Sequence, residues 1–294
     1  MTDPADFADP DPADSGPAVS SPADKSRLLA ELRDRVRRLE GIGGGDGTAV
    51  APLGVPDLDR HLPGGGLPLG AVHEVVGPDP RLDAGAATGF AAVLLGRLSA
   101  GRGPVLWVAR GRDLYAPGLA ALGLDTDRLI LVRADGDADA LWAMEEALRC
   151  AAVGAVLGEA GEPDLAASRR LQLAAEAGGV PGLLLRLGPR RVGTSACVTR
   201  WRVEAVPSGA AGVAVGLGQD DGAGVGLPGL GPAAWRAELL RCRGGRPGAW
   251  LLAWLGTRLE GRPAAAEPAG GIAAAGQGLG TQRVAQLRVA GRPR

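Results

Sequence analysis

PVLWVARGRDLYAPGLAALGLDTDRLILVRADGDADALWAMEEALRCAAVGAVL, residues 104–157, decides the fold class. Three apolar runs stand in it: PVLWVA (104–109), LILV (129–132) and VGAVL (153–157). Each is short, bounded by polar or breaker residues and rich in β-branched side chains, which reads as a buried strand. Residues 115–122 read as a helix. Asp137 reads as the cap of a second helix reaching Arg149, with Leu141, Met144 and Leu148 on its inner face. Strands and helices alternating at this spacing predict right-handed βαβ units and a mostly parallel sheet covered on both faces.

The same pattern extends outward in both directions. Ala71–Val76 is a strand, ended by the breakers Gly77-Pro78-Asp79-Pro80, and a helix over 86–99 has Phe90, Leu94 and Leu98 in register. A helix over 165–177, closed by Gly178-Gly179, leads to the strand GLLLRL (182–187). The pattern then changes. In RWRVEA (200–205), Trp201, Val203 and Ala205 alternate with Arg200, Arg202 and Glu204, and residues 235–243 and 249–255 flank Gly244-Gly245-Arg246-Pro247-Gly248 as a hairpin. The late strands are therefore expected to be antiparallel, with Trp201, Trp235, Trp250 and Trp254 in the core. Residues 41–70 and 207–233 read as loops. This divides the chain into an acidic arm (1–25), an amphipathic helix region (26–45), the α/β core (46–256) and a flexible Gly/Ala/Arg tail (257–294). The stripe Leu28, Leu32, Val36 and Leu39 on the arm's helix is a candidate partner-binding face.

Composition narrows the chemistry. The 294-residue chain has a formal net charge of −1, so no global basic field points to nucleic acid. Lys25 is the only lysine, so any reaction that needs an amine would have to use it. Cys150, Cys197 and Cys242 are widely spaced, as are His61 and His73, and no zinc-ligand pair is present. His73 falls within a strand and reads as a core or rim histidine. Neither an apolar leader nor a span of about 20 apolar residues occurs, and the three scattered thiols suit the cytoplasm.

The order of elements resembles the RecA family. LPLGAVHEVVGP (67–78) is similar to that family's approach to its phosphate loop, LYAPGLAALGLDTDRLILVR (114–133) to its next helix and strand, and ALWAMEEALRCAAVGAVLGE (140–159) to the segment that ends in the Mg²⁺-binding acid. More closely, GAATGFAA (85–92), DLYAPGLAALG (113–123), ALWAMEEALRC (140–150) and SRRLQLAAEAGGVPGLLLR (168–186) resemble the ImuA family over most of 26–255. That resemblance implies a RecA-like (P-loop NTPase type) core and a bacterial accessory protein of SOS-induced translesion DNA synthesis. It would be cytoplasmic, nucleoid-associated under damage, and would act with ImuB and an error-prone C-family DNA polymerase. RecA and DNA are further candidate partners.

The nucleotide site fails residue by residue. A phosphate loop needs glycines for close backbone approach, a lysine on the outer phosphates and a Ser/Thr on Mg²⁺. Counting from Gly77 puts Leu82, Asp83 and Ala84 at the Gly-Lys-Thr positions, and no other register finds a lysine. Gly111 stands where relatives carry the general base, and only Glu159 matches an acid position. Gly77, Gly85, Thr88 and Glu159 are thus the remnants of a degenerate site, and the expectation is a pseudo-ATPase with no cofactor and no metal. Arg169, Arg170, Arg190 and Arg191 are the candidate DNA contacts. The competing readings are a DNA-dependent ATPase or recombinase-like enzyme, motivated by Glu159, and a SulA-like cell-division inhibitor on the same scaffold.

Overall fold

The three apolar runs of the opening stretch all become neighbouring parallel strands. The computed structural model describes residues 49–189, 193–207 and 231–264. The arm, the helix region with Leu28, Leu32, Val36 and Leu39, the pair Arg190 and Arg191, and the tail beyond 264 lie outside the described residues.

The strands are β1 (Val50–Ala51), β2 (Leu67–Pro68), β3 (Val72–Gly77), β4 (Val105–Ala109), β5 (Leu129–Arg133), β6 (Ala155–Glu159), β7 (Gly182–Leu187), β8 (Thr199–Ala205), β9 (Ala234–Cys242), β10 (Gly248–Trp254) and β11 (Leu259–Pro263). The helices are α1 (Pro56–Asp59), α2 (Ala84–Leu98), α3 (Ala116–Ala121), α4 (Asp137–Leu148) and α5 (Leu165–Gly178). Nine strands form one sheet in the order β11-β10-β9-β8-β3-β7-β6-β4-β5. The run from β8 to β5 is parallel, and β9, β10 and β11 extend it antiparallel. No described helix is long and apolar enough to cross a membrane.

Alternation along each strand sends side chains to two separate cores. On one face α2 lies against the sheet, and Phe90 meets Trp201 and Trp235 at ring-centroid distances of 5.7 and 5.9 Å. That helix is nearly apolar all round because it is covered on most sides. On the other face Met144 and Leu148 of α4 and Leu171 of α5 pack on Val72, Val156 and Leu184. The four late tryptophans are all buried. The alternation expected in β8 holds at Trp201 and Val203, which are buried, while Ala205 at the strand end is exposed.

Three expectations are corrected. The ordered core does not stop at 256. Gly256 turns the chain at φ +78°, and β11 pairs with β10 to bury Leu259. Residues 49–70 are not simply a loop. Pro56 starts α1, β1 pairs with β2, and Leu53, Leu58, Leu62 and Leu67 all enter the core. Asp137 is not the cap of α4. Gly136 holds that position, and the Asp137 carboxylate instead accepts from Gly161 N at 3.1 Å and pairs with Arg110 at 2.6 Å.

His73 is fully buried. Its Nε2–H donates to the Pro68 carbonyl at 3.0 Å, and its Nδ1 accepts from the Thr199 hydroxyl at 2.9 Å. The hydroxyl in turn accepts from Trp201 Nε1–H at 3.1 Å. Burial drives the imidazole pKa down to about 4, against the opposing pull of the Pro68 carbonyl. The unfolded chain takes up this proton near its ordinary value of 6.5. The stability carried by neutral His73 is therefore complete above about pH 6.5 and is lost as pH falls towards 4, up to about 3 kcal/mol in all. Urea midpoints taken at about pH 7.5 and pH 5 should converge in His73→Gln relative to the native chain.

Candidate functional site

At the carboxyl ends of β4, β6 and β7 lies a cleft of about 340 Å³, floored by the start of α2. In a parallel sheet this is where ligands ordinarily bind. Gly85, Thr88 and Glu159, three of the expected remnants, line it together with Gly111, Asp113 and Tyr115. Gly77 does not line it. It ends β3, where a Cβ would stand 2.9 Å from that of Ala87, so glycine there lets α2 approach the strand.

The loop from Gly77 to α2 is closed by its own carboxylates. Asp79 Oδ1 accepts from Arg81 N at 2.7 Å and from Leu82 N at 3.1 Å. Asp83, buried and at the position where a count from Gly77 expects a lysine, accepts from Asp79 N at 3.1 Å through Oδ2 and from Ala205 N at 2.9 Å through Oδ1. Its own N–H donates to the Asp79 carbonyl at 2.8 Å. A phosphate loop works because such N–H groups point at the ligand. Here the two aspartate carboxylates occupy three of the loop's N–H groups, those of Asp79, Arg81 and Leu82.

Glu159 is likewise engaged. Oε1 accepts from Trp107 Nε1 at 2.8 Å and Oε2 from Arg110 N at 3.0 Å. It ties the end of β6 to the end of β4 and is neither the solvated rim acid nor the free metal ligand that its position suggests. Among the described residues the cleft's lining includes two carboxylates, Asp113 and Glu159, and no cation. No cluster of His, Cys, Asp and Glu that could hold a metal ion is found among the described residues. Burial raises the Cys197 thiol to about 12 and the Cys242 thiol to about 11, which makes both poor nucleophiles.

The expected DNA patch is partly neutralised. Arg170 on α5 pairs with Glu145 of α4 at 3.2 Å, whereas Arg169 projects into solvent. The fold also exposes groups that the sequence reading passed over. Trp142 on the outer face of α4 is 66% exposed, and Leu173 on α5 is 59% exposed. Helical spacing could have flagged Trp142, which lies opposite Ala140 and Met144.

No family model matches the chain. The Protein ImuA of Caulobacter vibrioides strain NA1000 / CB15N is 46% identical over 216 residues, covering 70% of this chain and 83% of that protein. The Protein ImuA of strain ATCC 19089 / CIP 103742 / CB 15 matches equally. Among solved structures, SulA from Pseudomonas aeruginosa is 29% identical and covers 40% of this chain and 98% of its own, at a TM-score of 0.34.

Proposed function

From the premise that the chain belongs to the ImuA family, we propose that it is a non-catalytic accessory protein of damage-inducible mutagenesis, built on a RecA-like scaffold whose nucleotide site has been converted to structure. The observation that carries this reading is Asp83. A buried carboxylate stands at the lysine position and accepts from Asp79 N in the loop and from Ala205 N at the end of β8. The engaged Glu159 and the absence of a cation among the described lining residues support it further. The mostly parallel sheet with antiparallel late strands supports the RecA-like scaffold.

In this reading the protein works in the cytoplasm by holding other proteins together. Its partners are ImuB and an error-prone C-family polymerase, as the resemblance implies, with RecA as a further candidate. Trp142 and Leu173 would be available to such partners, and so would the stripe Leu28, Leu32, Val36 and Leu39.

Pull-down with purified ImuB at micromolar concentration should capture the full chain. A version lacking residues 1–40 tests whether the arm's stripe makes the contact. ATP turnover should stay at background with and without single-stranded DNA. A capture failure would sink the accessory role, and turnover above background would favour the enzyme reading instead.

A further inference from the structure

We propose that the turn between β9 and β10 is a phosphate-binding site for the backbone of single-stranded DNA, formed by Arg241, Arg243 and Arg246. The choice of nucleic acid rests on the reading above, while the site itself rests on geometry. The turn runs Arg241-Cys242-Arg243-Gly244-Gly245-Arg246, with Gly244 at φ +77°. It lies at the amino end of the parallel strands, since Cys242 pairs with Thr199, the first residue of β8. The cleft described above is at their carboxyl end, so the two sites are distinct.

Single arginines without a carboxylate partner among the described residues occur elsewhere on the surface, but here three fall within six residues. Surface arginines elsewhere commonly face a carboxylate, as do Arg60, Arg110, Arg128, Arg149, Arg170 and Arg258. Arg241, Arg243 and Arg246 pair with no carboxylate among the described residues. Two of them are nonetheless held in place. Arg241 donates from Nη1 to the Ser195 carbonyl, and Arg243 from Nη2 to the Ala196 carbonyl at 3.4 Å. A guanidinium has five N–H donors, so each keeps most of its donors and its full charge. A concavity of about 520 Å³ lies against Arg241, Cys242, Arg243 and Gly244.

The surroundings stiffen the turn. Arg200, paired with the buried Glu74, stands directly across from Arg241 in the β8–β9 register. Arg246 N donates to the His61 carbonyl at 2.9 Å, and a Cβ on Gly245 would collide with that same carbonyl. A rigid turn presenting unneutralised guanidiniums suits phosphate contacts that position a strand without reading its sequence.

The test is fluorescence anisotropy of a labelled single-stranded oligonucleotide against the full chain at low and moderate salt. Arg241→Gln, Arg243→Gln and Arg246→Gln together should weaken binding at least about tenfold. They should also flatten the dependence of log affinity on log salt by about 2, at roughly 0.7 per lost phosphate contact. Arg133→Gln, on β5 at the opposite edge of the sheet, should change affinity less than about twofold. Arg246→Gln alone, at a side chain with no hydrogen bond among the described residues, should give a partial loss even if the triple variant misfolds. Equal affinity of the variants and the native chain would overturn the site, as would no binding by the native chain at low salt. Neither outcome touches capture by ImuB, so the site and the accessory reading can fail separately.

Discussion

Alanine at Glu74 is expected to destabilise the protein by about 3–5 kcal/mol. Glu74 is on β3, between β8 and β7 in the parallel run, and is fully buried. Its Oε1 accepts from Arg186 Nη1 of β7 at 2.6 Å, and its Oε2 from Arg200 Nε of β8 at 2.7 Å. One carboxylate thus serves as counter-ion to two guanidiniums whose side chains are only 4% and 11% exposed. Removing it leaves two buried cations facing each other across β3 with the charge between them gone. Urea denaturation at neutral pH should show the midpoint fall with little change in slope. A second variant separates electrostatics from packing. Glu74→Leu with Arg186→Met and Arg200→Met removes all three charges together and should recover most of the loss, because the desolvation of the charges disappears with them. A loss below about 1 kcal/mol in the alanine variant would mean that water reaches the triad and screens it.

Much of this fold is legible in the sequence because its strands are buried on both faces. The runs at 105–109, 155–159 and 182–187 are apolar except at Glu159 and Arg186, and that signal survives without context. Periodicity likewise identifies Phe90, Leu94 and Leu98 as one face of α2. The order of the strands is not legible, since nothing local says that β7 lies between β3 and β6. β11 is missed for a related reason. LEGRP looks like tail composition, and it becomes a strand only because β10 offers a paired edge that buries Leu259. At the site, the missing lysine is plain from a count, but the role of Asp83 is not. Its carboxylate bonds Ala205 N, 122 positions away, and a one-dimensional reading sees only an acid that would repel phosphate. Arg170 is misread in the same way, because Glu145 stands on another helix, 25 positions off.

Asp83→Lys with Ala84→Thr restores the lysine and the hydroxyl of a phosphate loop, yet it is expected to cost about 3–5 kcal/mol of stability and to gain no ATP turnover. Asp83 is 7% exposed and holds two backbone N–H groups, one in the loop and one at the end of β8. A lysine there strands both donors and places an ammonium where an anion is needed. The loop would still not receive phosphate, because Arg81 N and Leu82 N remain bonded to Asp79. Adding Asp79→Asn would weaken that hold, but Glu159 would remain tied to Trp107 and Arg110, and Gly111 would still supply no base. Urea unfolding and calorimetric titration with ATP check the two halves separately. If the double variant kept native stability and bound ATP, the loop's N–H groups would be available after all. The site would then have lost only its lysine, and the aspartates could not have the hold on the loop's N–H groups on which the non-catalytic reading depends.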